Sequence, residues 1–192
     1  MSDASSLTPG QQADLLAIAR RAICDHVRGR PTSPPSASDP ILRAPGAAFV
    51  TLTRAGRLRG CIGYVHAIRS LAEAVAHCAV SAASEDPRFS AVVAEELPEL
   101  RLEISVLSPL RRITDPVMVE VGRHGLHISQ GGRHGLLLPQ VAAELGWDRE
   151  TFLRQTCLKA GLPEDAWRHG AEIQVFTADH FSDDLPLDTP QR

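Results

Sequence analysis

Paired cysteines are missing from this chain. Its four cysteines, Cys24, Cys61, Cys78 and Cys157, are scattered. No C-x-x-C occurs, which removes zinc knuckles and thioredoxin-type motifs. Without a cysteine triplet there is no ligand set for an iron–sulfur cluster. No P-loop and no dinucleotide-binding glycine fingerprint are present. No apolar run approaches the roughly 20 residues of a membrane span, and the polar N-terminus lacks an apolar signal core. No basic stripe stands out at a formal net charge of −3, so electrostatic nucleic-acid binding is not expected. These absences lead us to expect a cytoplasmic protein with reduced thiols, no cofactor, no nucleic-acid partner and no membrane partner.

What remains is an ordinary globular composition. With 192 residues, 43% hydrophobic and 22% charged, the chain is long enough for a real core. Thr8-Pro9-Gly10-Gln11 reads as a helix start, with a capping Thr, Pro at the first helical position and Gln three residues after the cap. Apolar residues then recur at helical spacing to Val27. Residues 29–40 carry four prolines and read as a surface loop. Phe49–Leu52 is β-like, Thr53–Gly56 a turn, and Arg57 onward a strand into Cys61. Ser70-Leu71-Ala72-Glu73 is a capping box, followed by a helix with Ala72, Ala76, Ala79 and Ala83 in one stripe. Leu102–Leu107 is a strand.

The second half repeats this plan. Leu126–Ser129 and Leu136–Leu138 read as strands around a Gly131-Gly132 turn. Asp148 caps a helix, and Glu172–Phe176 closes as a strand. Cys78 and Cys157 occupy equivalent helix positions, and both closing strands carry Glu-Ile-x-Val. A duplicated strand–turn–strand–helix–strand unit accounts for this. In this alignment Arg59 and Cys61 fall opposite Gly135 and Leu137, so the charge and the thiol belong to one copy only.

Leu58-Arg59-Gly60-Cys61-Ile62-Gly63 is the densest constellation. A thiol becomes nucleophilic beside a positive charge or backbone N–H groups. On a straight strand Arg59 shares the face of Cys61, and Gly60 and Gly63 let backbone amides approach an oxyanion. The alternative is a buried, inert cysteine between packing glycines, which is also the reading for Cys24, Cys78 and Cys157. Asp86 can orient Arg59 or Arg88, and Arg88 can clamp an anion; the alternative is a turn with an internal ion pair. His124, His127 and His134 lie around the glycine-rich hairpin, where His127 and His134 nearly oppose each other. Two imidazoles there can bind a metal or act as a base, but no third ligand completes a set, so no metal is expected. His66 and His77 stand isolated. Gln140 can hydrogen-bond a ligand, and Lys159 is either a buried base or a snorkelling surface residue.

The hexapeptide also carries a resemblance. With Asp86-Pro87-Arg88-Phe89, Glu103–Leu107, Gly122–Leu126, Leu138–Val141 and Lys159–Pro163 in order over roughly residues 10–182, the chain resembles the AMMECR1-domain family, whose prokaryotic members are called AmmeMemoRadiSam system protein A. One departure is visible: the family shows a proline-rich stretch after the Arg-Phe, where this chain has Ser90-Ala91-Val92. The resemblance implies an α+β fold of two pseudo-repeats sharing one curved, largely antiparallel sheet, with an N-terminal helix (9–28) packed on them and the thiol motif lining a cleft. It implies one domain over 1–192, with lobes at about 41–115 and 116–182. It also implies the company of a Memo-like protein and a radical SAM protein, but no settled reaction.

Two functions follow as expectations. The first is an enzyme using Cys61, with Arg59 holding an anionic small molecule or protein substrate and Gly60, Gly63, Asp86, Arg88, Gln140 and His124 lining its site. The second is a non-catalytic binding or adaptor module that docks onto the Memo-like or radical SAM partner.

Overall fold

The structure is a computed structural model, and it describes residues 7–31, 34–35, 37–183 and 187. In chain order the elements are α1 (Pro9–Val27), α2 (Pro40–Arg43), β1 (Pro45–Arg54), β2 (Arg57–Gly63), β3 (Arg69–Ser70), α3 (Leu71–Ser84), β4 (Leu100–Leu107), β5 (Arg111–Ile113), β6 (Gly125–Gln130), β7 (Arg133–Leu137), α4 (Pro139–Glu144), α5 (Arg149–Lys159), β8 (Glu172–Phe176) and β9 (Ala178–Asp183). Short 3-10 turns separate several of them. The α+β class, the antiparallel pairing and the N-terminal helix match the expectation from sequence. The sheet does not: the strands form two sheets, ordered β2-β1-β4-β9 (with β3 on β1) and β5-β8-β6-β7.

Two compact units result. The first comprises residues 1–107 and 179–192, and the second 108–178. The boundary therefore falls at 107 and not near 115, because Arg111–Ile113 pairs with β8. Strand β9 belongs to the first sheet, beside β4.

Local chemistry sets the helix starts. Thr8 caps α1 through Gln11 N–H while the Gln11 side chain accepts from Thr8 N–H, a closed capping box. Leu15, Ala19 and Ile23 then recur every four residues and are fully buried. Ser70 and Glu73 form the same box at α3, and Asp148 caps α5 through Thr151 N–H.

The core of the first unit joins α1 (Leu15, Ile23), β1 (Val50, Leu52), α3 (Val75, Cys78) and β4 (Leu102, Ile104). Arg20, buried on α1, pairs with Asp183 of β9. The core of the second unit joins Leu126 and Ile128 of β6, Phe152, Leu153 and Cys157 of α5, and Ile173 and Val175 of β8. Burial pushes the Cys78 thiol up to about 12 and raises that of Cys157, which makes both inert packing residues.

The duplicated plan is present in the topology. Each unit has a hairpin, then a helix, then a strand on the inner side of the hairpin: β2-β1-β4 and β7-β6-β8. The register corrects the alignment read from sequence. In the first hairpin Arg54 pairs with Arg57, Thr53 with Leu58 and Leu52 with Gly60; a bulge leaves Arg59 unmatched. In the second, Gln130 pairs with Arg133, Ser129 with His134 and Ile128 with Gly135, without interruption. Gly60 thus corresponds to Gly135, Cys61 to Leu136, and Arg59 has no counterpart. The two glycines share a role as well. A Cβ on Gly60 would lie 2.0 Å from the Ala82 carbonyl oxygen of α3, and one on Gly135 would lie 2.5 Å from the Ala160 nitrogen at the end of α5. Each lets a helix sit directly on its hairpin.

Candidate functional site: the clasped edge of the first sheet

Strand β2 is an outer strand of its sheet, so its outward N–H groups need partners other than a neighbouring strand. The loop after α3 supplies one. Asp86, only 4% exposed, accepts the Cys61 N–H at 2.8 Å. The same carboxylate accepts from the Arg88 backbone N–H at 3.1 Å and from its guanidinium at 2.9 and 2.6 Å. Arg88, then its own burial working the other way, then the Cys61 and Arg88 amides set the Asp86 carboxyl; the net effect holds it well below the usual carboxylate range.

Arg59 fastens the other end of the same loop. Its guanidinium donates to both carboxylate oxygens of Glu96 at 2.9 Å. It also donates to the carbonyls of Ser90 at 2.8 Å and Ala91 at 3.4 Å. The Arg59 pairing lowers the Glu96 carboxyl below its ordinary value. Arg54, at the end of β1, adds a second contact to Glu96 at 3.1 Å and a fork onto Glu99. The bulge is the cause of this aim. Bulges redirect a side chain by adding one residue to one strand, and the added residue here is Arg59.

The thiol itself is half-buried. Gly60 faces α3, so by strand alternation Cys61 points to the opposite side of the sheet. There it meets its cross-strand partner: Thr51 Oγ1 lies 3.2 Å from Cys61 Sγ. Phe89 is flanked by both arginines, with Arg88 5.5 Å and Arg59 6.0 Å from its ring centre. Gly60 and Gly63 are packing positions. A Cβ on Gly63 would lie 2.2 Å from the Phe49 ring across the hairpin, so that face of the glycine is filled by an aromatic side chain.

Four of the residues singled out in the sequence, Cys61, Arg59, Asp86 and Arg88, therefore gather at one edge. Their arrangement is a structural clasp. Arg59 does not stand beside Cys61 as an anion holder, because a bulged strand replaces the straight one and the guanidinium is directed at Glu96. Asp86 orients Arg88, not Arg59.

Gln140 and His124 belong to the second unit. Gln140 is half-buried in the first turn of α4. His124 is buried, and its Nδ1 accepts the Glu120 N–H at 3.1 Å, closing a local turn; burial lowers its proton affinity below the ordinary value. Gly131 and Gly132 do close the hairpin, with φ of 58° and 82°. His127 and His134 are diagonal neighbours, with ring centres 5.9 Å apart. His127 is held by Gln174 at 2.9 Å while His134 is exposed. No group of three metal-ligating side chains occurs among the described residues. Lys159 is exposed.

Comparison with known proteins gives the clasp its context. The sequence model of the AMMECR1 family matches residues 16–181. The chain belongs to the AMMECR1 family. A protein of Thermococcus gammatolerans is 46% identical over 184 residues, covering 90% of each chain. A protein of Methanothermobacter thermautotrophicus is 43% identical over 179 residues, covering 88% of this chain and 93% of that one. The crystal structure of the uncharacterized protein PH0010 from Pyrococcus horikoshii is similar at a TM-score of 0.84 and 42% identity, covering 90% of this chain and 91% of that one. These similarities establish the AMMECR1 fold for this chain and name no reaction.

Two members of the clasp in this AMMECR1-family chain escaped sequence reasoning. Glu96 lies 37 residues beyond Arg59, and Thr51 lies on the partner strand. The alternation around the Thr53–Gly56 turn contained a signal for Thr51, since a hairpin places it near Cys61. Nothing local pointed to Glu96. His77 was read as isolated, yet its Nδ1 lies 3.1 Å from the Tyr64 hydroxyl. Among the described residues no helix is long and apolar enough to cross a membrane.

Proposed function

We propose that this AMMECR1 domain works as a non-catalytic binding module, and that the clasped edge around Cys61, Arg88 and Phe89 is its docking surface. One observation carries this reading. The charges next to the thiol are already used within the fold: Arg59 on Glu96 and two loop carbonyls, and Asp86 on the Cys61 N–H and Arg88. What the edge presents outward is the Arg88 side chain, tied to Asp86 through Nε and Nη2 yet 54% exposed, standing beside a half-buried aromatic ring. Arg with an aromatic neighbour is a common anchor for an acidic group on a partner. The partners proposed are the Memo-like and radical SAM proteins that the family resemblance implies.

The test is to measure binding of each purified partner by calorimetry to the wild type, Arg88→Gln and Cys61→Ala, with thermal melts to confirm folding. The expected result is at least tenfold weaker binding for Arg88→Gln and unchanged binding for Cys61→Ala. Unchanged binding by folded Arg88→Gln would sink the docking surface.

A second reading, a thiol enzyme, has one observation in its favour: Cys61 is not sealed in the core and has the Thr51 hydroxyl beside its sulfur. Alkylation kinetics decide between the two, using a variant in which Cys61 is the sole cysteine. An apparent pKa well below the free-thiol value of about 8.5 supports the enzyme. Slow labelling with an ordinary or raised pKa supports the module.

A further inference from the structure

The first unit contains a trough that the Cys61 edge does not use. It has a volume of about 540 Å³. One wall is a single face of α3: Glu73, Ala76, His77, Val80 and Ser81 all line it, and these positions recur at three- and four-residue spacing. The opposite wall is Ala22 and His26 of α1, with Pro34 and Pro35 also lining it. The lining is thus small and apolar through its middle, with Ala22, Ala76 and Val80 leaving the space that larger side chains would fill. From Glu73 to Ser81 the helix advances by about 12 Å, close to the extended length of an eight- to ten-carbon chain.

The polar groups are placed unevenly. Arg69, just before α3, pairs through its backbone with Gly46 of β1 and lines the trough with an exposed side chain that makes no ion pair among the described residues. Its acidic neighbour Glu73 acts on Arg69 electrostatically, but its carboxylate is turned onto the Ser70 hydroxyl at 2.6 Å and the Ser70 N–H at 3.2 Å and not onto the guanidinium. At the far end of α3 stands the exposed Glu85, which repels an anion there. Midway, the His77 ring is fixed by the Tyr64 hydroxyl at 3.1 Å and lies 3.4 Å from the Ser81 hydroxyl, both through Nδ1. That leaves Nε2 for another partner. The trough therefore combines, at one end, a cation whose carboxylate neighbour is bound to Ser70, an apolar channel, and an exposed carboxylate at the other end.

We propose that this trough binds an unbranched monocarboxylate of medium chain length, its carboxylate on Arg69 and its alkyl chain along Ala76 and Val80. A guanidinium favours a carboxylate over a neutral or cationic head, and Glu85 sets the direction. The inference stands apart from the reading of the Cys61 edge, since the trough shares none of that edge's residues.

The experiment is calorimetry on the full chain with decanoate, octanoate and decyltrimethylammonium, each kept below its micelle concentration. Decanoate should bind at one site. Octanoate should bind more weakly by about fourfold for each methylene removed, the factor expected for burying a methylene. Decyltrimethylammonium should not bind. Ala76→Trp, which fills the channel, should abolish decanoate binding, and Arg69→Gln should weaken it at least tenfold. Both variants should keep wild-type helical circular dichroism and melting temperature. Absence of decanoate binding at millimolar concentration overturns the proposal. So does equal binding of the cationic amphiphile, which would mark a general detergent surface, or unchanged binding by a folded Ala76→Trp variant. Should Ala76→Trp fail to fold, Arg69→Gln and the chain-length series decide.

Discussion

The two hairpins of this protein differ by one residue, and the site follows from that residue. Both turn through two left-handed positions: Ala55-Gly56 with φ of 50° and 73°, and Gly131-Gly132 with 58° and 82°. Both place a glycine beneath a helix. The first inserts Arg59 as a bulge; the second runs in register. In the first unit the loop beyond the helix is tied to the hairpin edge by Asp86 and by the Arg59–Glu96 pair. In the second, beyond the packing of Gly135 on Ala160, β7 is tied to the stretch after α5 by a side-chain hydrogen bond onto a neutral acceptor, from exposed Arg133 to the Gly161 carbonyl at 2.9 Å. The shared scaffold therefore needs only a light tie at this edge. The ionic clasp is an addition to one copy, and that asymmetry is the reason the docking surface is proposed at the β2 edge.

The largest expected effect tests the shared part. Gly60→Ala drives a methyl into the Ala82 carbonyl and should cost about 3 kcal/mol or more, the upper range for overpacking. Gly135→Ala should be destabilising but less so, because the intruding distance is longer. Urea unfolding of both variants checks the order; an unaffected Gly60→Ala would break the equivalence of the two hairpins.

Asp86→Asn comes next, at about 2–3 kcal/mol, since it weakens a buried carboxylate with charge-assisted partners. Its pH dependence has a definite sign. The folded carboxyl is held below its unfolded value, so the stability it supplies is complete above about pH 4 and is lost as pH falls through the depressed folded value. The gap between wild type and Asp86→Asn in urea should therefore be full at pH 7 and shrink progressively below pH 4. A gap that stayed constant would remove Asp86 from the clasp.

Glu96→Gln should cost about 1–2 kcal/mol, because its ion pair with Arg59 is largely shielded from water. The matching change in the second unit, Arg133→Gln, should leave the unfolding midpoint where it is. Equal effects in the two units would mean that the ionic clasp adds nothing to the lighter tie.

The smallest effect is a gain. Ala55 is an alanine in a left-handed conformation where the second hairpin has Gly131. Ala55→Gly should stabilise the protein by about 0.5–1 kcal/mol, relieving a side-chain clash that outweighs the added chain entropy. Gly131→Ala should reverse the sign. Thermal melts of the pair would show it.

The sequence by itself determined the local features of this protein, because each is made by residues within a few positions of one another. Thr8 with Gln11, Ser70 with Glu73, and Asp148 with Thr151 close their caps inside one helical turn. The glycine-rich turn and the buried helical stripes are equally local. The duplication was legible for the same reason, since the order of elements repeats. The ordered set of short motifs, from the hexapeptide and Asp86–Phe89 to Lys159–Pro163, carried the resemblance to its family. Only the tertiary structure decided that the strands divide into two sheets, that Arg59 is a bulge residue, and that its partner is Glu96, 37 positions away. Whether a strand is straight depends on what its partner strand and the packed helix require. Whether an arginine is free depends on which distant loop returns to it. Those are energies of contacts between segments far apart in the chain, and the alternation of residues along β2 carries no record of them.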